Sequence, residues 1–193
     1  MRTFTRAELE SYRDAEVPDL LPREGDPPLR LLFVGINPGL WTAATGTHFA
    51  HPGNRFYPAL RRGGVITRDI SPTGMDEADR AHLRERGIGI TNLVRRATAK
   101  ASELSAEEQR VGGAELVARI ERVGPRVVAM AGITAYRTAF GLPKAVMGRQ
   151  PEPLGGAELW VVPNPSGLNA HETVDSLAEA YAAAARAAGI DVG

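Results

Sequence analysis

LLFVGINPGLWTAATGTHFAHPGNRF, Leu31 to Phe56, joins two unlike kinds of sequence. Leu31, Leu32, Phe33 and Val34 form a continuous apolar run, which reads as a short strand buried on both faces. The strand is expected over 29–35. After Gly35 the chain crowds glycine, proline, asparagine and histidine into one long loop, and a helix is expected over 54–62. A buried strand that opens directly into a polar, glycine-rich loop is the pattern of an α/β protein with its site at a strand end.

The rest of the chain repeats that alternation. Thr5-Arg6-Ala7-Glu8 fits a capping box and predicts a helix to about Ala15, followed by a proline-rich tether, Val17–Pro28. Residues 63–74 read as irregular, 76–86 as helix and 87–94 (GIGITNLV) as a second strand. A second capping box at Ser105 opens a helix to about Val123, with Gly113, Leu116, Val117, Ile120 and Val123 on one stripe. A third strand is expected over 126–131, a helix to about Phe140 and a fourth strand over 159–163. The last helix, 172–188, places Val174, Leu177, Ala178, Tyr181, Ala184, Ala185 and Ala188 on one face. Short buried strands between amphipathic helices predict a three-layer α/β fold, with a short, mainly parallel central sheet flanked by helices. A single domain over 1–193 is expected, with 1–28 as N-terminal helix and tether. Two loops at carboxyl strand ends, the one after Gly35 and the NPSGL loop after the fourth strand, are expected to face one crevice.

Composition narrows the chemistry. The 193 residues include no cysteine, which excludes disulfides, thiolate catalysis and cysteine-held zinc or iron–sulfur centres. With 24% charged and 43% hydrophobic residues, the chain is ordinary for a soluble protein. No apolar run approaches the roughly 18 residues that span a membrane, and the N-terminus carries no apolar signal region. A cytoplasmic, bacterial-type enzyme is expected. The formal net charge is zero, so nucleic-acid binding is not advertised by the sum, although distribution matters more. Arg55, Arg61, Arg62 and Arg68 gather near the loop, and Arg95, Arg96 and Lys100 further on; solvated surface arginine accounts for them equally well.

Several catalytic patterns fail. No Gly-Lys-Ser/Thr follows the glycines, no G-x-G-x-x-G opens a helix after the first strand, and Pro165-Ser166-Gly167 lacks the G-x-S-x-G of a nucleophile elbow. His48 and His51 have H-x-x-H spacing but no third ligand nearby, so no metal is expected there. What remains is Asn37, where the chain leaves the strand. A neutral amide is a poor base, but its oxygen can accept a hydrogen bond from water and orient it. That suffices where the leaving group departs first, as in N-glycosidic cleavage through an oxocarbenium-like sugar. A flipped base needs an aromatic face and edge-binding groups. Phe49 can supply the face, and backbone N–H groups around Ile36–Gly39 and near Phe49 the donors; Pro38 has none to give. Taken singly, Asn37 also fits a turn cap, Phe49 loop packing and Leu168 an ordinary buried leucine.

As an ordered set, GINPGL (Gly35–Leu40), HFAHPGNRF (His48–Phe56) and PNPSGL (Pro163–Leu168) resemble the mismatch-specific uracil-DNA glycosylases, the group that includes thymine-DNA glycosylases. A VPDLL lead-in and TNLV at Thr91–Val94 extend the resemblance over most of the chain. The resemblance implies a uracil-DNA-glycosylase-like fold and base flipping. It implies that Asn37 holds the attacking water, that Phe49 stacks on the base, and that Ile36 and Gly39 border it, Gly39 leaving room at C5. It also implies that the PNPSGL loop, with Asn164, Ser166, Gly167, Leu168, Asn169 and His171, meets DNA. Leu168 would fill the gap left by the base, and Gly167 and Asn169 backbone groups would meet the orphaned guanine.

The implied partner is double-stranded DNA with G:U or related mismatches, acted on by a monomer near the bacterial nucleoid, without cofactor. The alternatives are a non-catalytic mismatch-binding protein and a small-molecule nucleoside N-glycosidase. Two departures stand out: Asn169-Ala170-His171 replaces the Ser-Arg that many members carry after Gly-Leu, and Trp41 is bulky after GINPGL. The two lysines, Lys100 and Lys144, lie outside the motifs, which points to hydrolysis and away from Schiff-base chemistry.

Overall fold

In a computed structural model, which describes residues 3–193, Leu31–Gly35 forms strand β1, and all five of its residues are buried. Strand β2 (Ile88–Asn92) and strand β3 (Val127–Ala131) flank it, both parallel to it. Strand β5 (Glu158–Val162) pairs parallel with β3, and a short strand β4 (Gly148–Arg149) runs antiparallel at the outer edge. The sheet order is β2-β1-β3-β5-β4. The short edge strand β4 has no apolar period, and nothing in the sequence pattern signals it.

Side chains alternate along each strand and so divide the interior into two cores. Leu31 and Phe33 of β1 face one layer, with Phe56, Leu60, Leu177 and Tyr181. Leu32 and Val34 face the other, with Leu116, Ile120, Tyr136 and Ala139. The first layer holds helices α3 (Phe56–Arg62), α4 (Glu77–Glu85) and α7 (Val174–Ala187); the second holds α5 (Ala106–Val123) and α6 (Ile133–Phe140). This is the expected three-layer α/β fold with a mainly parallel sheet. No helix among the described residues is long and apolar enough to cross a membrane.

Capping chemistry sets two helix starts as expected, Thr5 and Ser105 each accepting from the backbone N–H three residues on; Thr173, which the sequence reading did not single out, does the same for α7. Elsewhere the outcome differs. Helix α1 covers only Arg6–Glu10, not the run to Ala15. Beyond it the chain turns through Asp14 (φ +63°), whose N–H donates to the Ala97 carbonyl while Ala97 N–H donates to Ala15. Long-range pairing overrides the local helical preference there.

The tether over 17–28 is also more than a connection. Leu20 exchanges both backbone hydrogen bonds with Ile90, at 2.9 and 2.8 Å, and Val17 and Leu20 are buried. It thereby covers the free edge of β2, which would otherwise present unpaired backbone groups. The opening loop contains a six-residue helix, α2 (Leu40–Thr45), between Gly39 and Gly46. It is too short to show a period and has no side-chain cap, so the sequence gives no sign of it.

On α5 the buried residues are Gly112, Gly113, Leu116, Arg119 and Ile120, while Val117 and Val123 are only partly covered. The stripe is rotated because Arg119 turns inward. Its guanidinium donates to Thr91 Oγ1 and the Asn92 carbonyl, both at 3.1 Å, and lies 3.5 Å from Asp19. A buried charge is tolerated when paired and hydrogen-bonded in this way.

The chain leaves β1 toward β2 on one side and leaves β3 toward β5 on the other. That reversal between β1 and β3 is a topological switch point, where a crevice opens beyond the carboxyl ends of the strands.

Candidate active site

A cleft of about 910 Å³ opens at that switch point. Gly35, Asn92 and Ala131, the last residues of β1, β2 and β3, form its floor. The loop after β1 supplies Asn37 and Phe49, the loop after β5 supplies Asn164 and Leu168, and α1 closes one side with Arg6, Leu9 and Glu10. The two loops singled out in the sequence therefore do share one crevice.

Asn37 is fixed by a directed chain of hydrogen bonds. Its Nδ2 donates to the Arg96 carbonyl at 2.9 Å and to Thr98 Oγ1 at 2.8 Å. The Thr98 hydroxyl hydrogen goes to the Lys100 carbonyl at 2.9 Å, so Thr98 must accept from Asn37. Both acceptors have only one role open to them, and the amide can be placed only one way round. The Oδ1 atom accepts no hydrogen bond among the described residues and stands on the cleft wall. The geometry offers a lone pair of fixed direction to a water molecule.

Phe49 forms the adjacent wall. Its φ is +57°, a left-handed conformation that is uncommon for a bulky residue. Neighbours hold it there: the Tyr57 hydroxyl donates to the His48 carbonyl at 2.7 Å, and Ala50 N–H donates to Thr42 Oγ1 at 3.2 Å. One face of the ring stacks on Phe56 with centroids 4.0 Å apart. The ring itself lines the cleft. Strained backbone held in place beside a cavity is a recurrent way to aim one side chain. The N–H groups of Ile36, Asn37 and Phe49 donate to no acceptor among the described residues and remain available, whereas that of Ala50 is consumed. Gly39 borders the cleft with open space where a Cβ would stand.

The sequence reading missed Asn92. Its amide lies on the floor beside Phe49, and its Nδ2 meets His48 Nδ1 at 3.3 Å. The opposite ring nitrogen of His48, Nε2, is 2.9 Å from the Pro18 carbonyl. Burial pushes the His48 imidazole below its usual pKa, so the neutral ring is favoured. With both nitrogens engaged inside the protein, His48 has no lone pair for a metal ion. His51 is exposed, and its Nδ1 accepts from Gly53 N–H at 3.1 Å. The one sequence signal for Asn92 was a polar Thr-Asn pair ending an otherwise apolar strand.

Across the cleft, Leu168 is 87% exposed, so it is not the ordinary buried leucine that the sequence alone also allowed. The loop beneath it is tied internally. Asn164 Oδ1 accepts from Ser166 N–H at 2.9 Å, and the Asn169 side chain donates to the Asn164 carbonyl at 3.2 Å. Asn169 N–H donates to the Ser166 carbonyl at 3.0 Å, and its own carbonyl accepts from Arg55 at 2.8 Å. Both backbone groups of Asn169 are thus engaged within the protein, while Gly167 is exposed. His171 is exposed, with its N–H 3.4 Å from Asn169 Oδ1. Gly167 is needed where it is, because a Cβ there would fall 2.6 Å from the Gly53 carbonyl of the facing loop.

Arg55 joins the two loops. Its guanidinium donates to the carbonyls of Ser166 (2.6 Å), Asn169 (2.8 Å) and Glu172. The nearby arginines are also held: Arg61 by Asp69, Arg62 by Asp175, Arg68 by Asp79, Arg95 by Glu16 and Arg96 by Glu108. Those pairs account for the arginine clustering near the opening loop. Arg55→Met, which keeps the stem and removes the donors, is expected to cost about 1–3 kcal/mol. It should also make the chain near Leu168 cleave faster in limited proteolysis; an unchanged cleavage rate would count against this role.

Trp41 packs edge-on against Phe4 (5.0 Å) and His51 (6.2 Å), so its bulk is used to seat α1 against the loop. Lys100 lies outside the motifs but reaches the cleft rim, as does Glu10, whose carboxylate is held by Arg13 at 2.9 Å. Among the described residues no group of three or more acidic, histidine or cysteine side chains could hold a metal ion. Compared with known families, residues 22–185 match the model of the uracil DNA glycosylase superfamily.

Proposed function

We propose, for a chain that by this match belongs to the uracil DNA glycosylase superfamily, that it is a mismatch-specific enzyme releasing uracil from G:U pairs in duplex DNA. Membership makes it a DNA glycosylase, a hydrolase of N-glycosidic bonds with DNA as its partner. The finer reading is that of a monofunctional, cofactor-free monomer, with thymine or bulkier pyrimidine adducts as further substrates.

The observation that carries it is the pairing of one exposed apolar side chain with one fixed amide. Leu168, 87% exposed, stands at the rim of the cleft into which Asn37 and Phe49 face. An exposed leucine on a well-tied loop at the cleft rim is free to enter an opened base stack, as apolar wedges do in proteins that unstack DNA. Flipping costs a few kcal/mol, least for a base already mispaired, which favours G:U over A:U. Open space at Gly39 supports acceptance of substituents at the pyrimidine C5. Gly167, exposed and bare of side chain, fits a role against the orphaned guanine; Ser166 and Asn164 shape the loop behind it.

The flipped pyrimidine would stack on Phe49 and meet the Asn92 amide along its edge. As the N-glycosidic bond lengthens, positive charge builds on the sugar and negative charge on the base. Asn37 Oδ1 would hold a water ready for the anomeric carbon. Positioning is all that a neutral amide can give, and slow turnover follows.

The test is single-turnover release from a G:U duplex, read by alkaline strand scission, beside A:U, G:T, ethenocytosine and hypoxanthine duplexes. G:U is expected to be fastest. Leu168→Ala is expected to lower release from duplex by about tenfold or more while changing single-stranded release little. Equal loss on both substrates would remove the wedge role. Because Lys100 stands at the rim, borohydride trapping belongs in the same assay, and no covalent complex is expected.

A further inference from the structure

Uracil and cytosine differ along one edge. Uracil offers N3–H and a C4 carbonyl; cytosine offers a bare N3 and a C4 amino group. A freely turning asparagine amide satisfies either, because half a turn exchanges its donor and acceptor. Discrimination therefore needs something that stops the Asn92 amide from turning.

His48 is placed to do so. The Pro18 carbonyl can only accept, so the ring nitrogen 2.9 Å away, Nε2, carries the hydrogen. In the neutral ring Nδ1 then holds a lone pair, directed at Asn92 across 3.3 Å. Asn92 must answer with an N–H. Its oxygen is thereby turned away from the histidine, over Gly35, where it stands 2.6 Å from the position of a Cβ. The edge of the Phe49 ring lies 3.3 Å from the same point, so the oxygen stands beside the aromatic wall. A reversed amide would set two lone pairs against each other in a buried place, His48 being only 2% exposed. The charged groups acting on the ring are Asp19, which favours its protonation, and Arg80 and Arg95, which oppose it along with burial.

We propose that His48 is a positioning residue that fixes the Asn92 amide with its oxygen toward the base, so that the cleft accepts an N–H at pyrimidine N3 and rejects cytosine. This rests on the reading of the cleft as a pyrimidine site. The fixed amide presents one acceptor and its second N–H, which match N3–H and the C4 oxygen of uracil or thymine.

The experiment measures binding of duplexes carrying 2′-fluoroarabino-uridine or 2′-fluoroarabino-cytidine, which resist cleavage, opposite a tetrahydrofuran residue so that neither base is paired. The native protein should prefer uridine by at least about tenfold. His48→Phe keeps a ring but removes the acceptor, and should bring the two affinities within about threefold. His48→Asn returns an acceptor near the Nδ1 position and should restore the preference; melting temperatures report whether each variant is folded. Preference retained in folded His48→Phe, or no preference in the native protein, overturns the proposal.

Imidazole nitrogen NMR on the DNA-free protein gives a second readout. A proton on Nε2 and none on Nδ1 is expected, and the reverse tautomer overturns the proposal whatever the binding. If no duplex binds while the tautomer is as expected, the pyrimidine-site reading fails and the ring's hold on Asn92 stands.

Discussion

Asn37→Ala is expected to slow base release by about 10²- to 10³-fold while leaving duplex affinity within about threefold. The amide is held by the Arg96 carbonyl and Thr98 Oγ1, and these contacts direct its oxygen. Alanine removes the water site and leaves the Arg96 carbonyl without that donor, a loss of about 1 kcal/mol in stability. The effect on rate far exceeds the effect on folding because only the reacting water depends on the oxygen's direction. Asn37→Asp is not expected to rescue. One carboxylate oxygen would replace Nδ2 opposite the Arg96 carbonyl, two acceptors face to face. Single-turnover release from a G:U duplex, with affinity measured separately, decides the matter; an Asn37→Ala rate above about one-tenth of the native rate would remove Asn37 from the water-holding role.

Gly35→Ala is the second large effect, and it separates activity from stability. Gly35 does not have positive φ, and alanine fits a strand end without backbone strain. The added Cβ would meet Asn92 Oδ1 at 2.6 Å and the Phe49 ring at 3.3 Å. The oxygen is the end of a side chain, so the collision is relieved by rotating Asn92 and giving up its contact with His48. Stability should change by no more than about 1–2 kcal/mol, whereas base release should fall by about 10²-fold as the floor and the aromatic wall shift. Calorimetry beside single-turnover kinetics gives both numbers. Native-like kinetics in folded Gly35→Ala would show that Asn92 and Phe49 need not stand where they do.

Particular residues show how much was legible in the sequence. Leu31–Val34 could be read as a doubly buried strand because a parallel central strand must be apolar on both faces. Thr5 and Ser105 announced helix starts because capping is local, settled within four residues. Asn37 and Phe49 stood out because a polar loop after a buried strand points to a crevice, and both line it. Leu168 was ambiguous in sequence and is resolved by its exposure. The length of α1, the pinned tether and the rotated face of α5 could not be read, because each is set by partners distant in the chain: Ala97, Ile90 and Asp19.

The sequence by itself determined the layer architecture, the two loops that carry the motifs, and the absence of thiol chemistry. These depend on residue type and short-range order alone. Only the tertiary structure decided what orients the site. It brought His48 to Asn92, 44 positions apart, and Arg55 to the carbonyl of Ser166, 111 positions apart. The physical reason is that a hydrogen bond's direction is fixed by which atoms finally face each other. Composition and spacing carry no record of that until the sheet order has set the strand ends side by side.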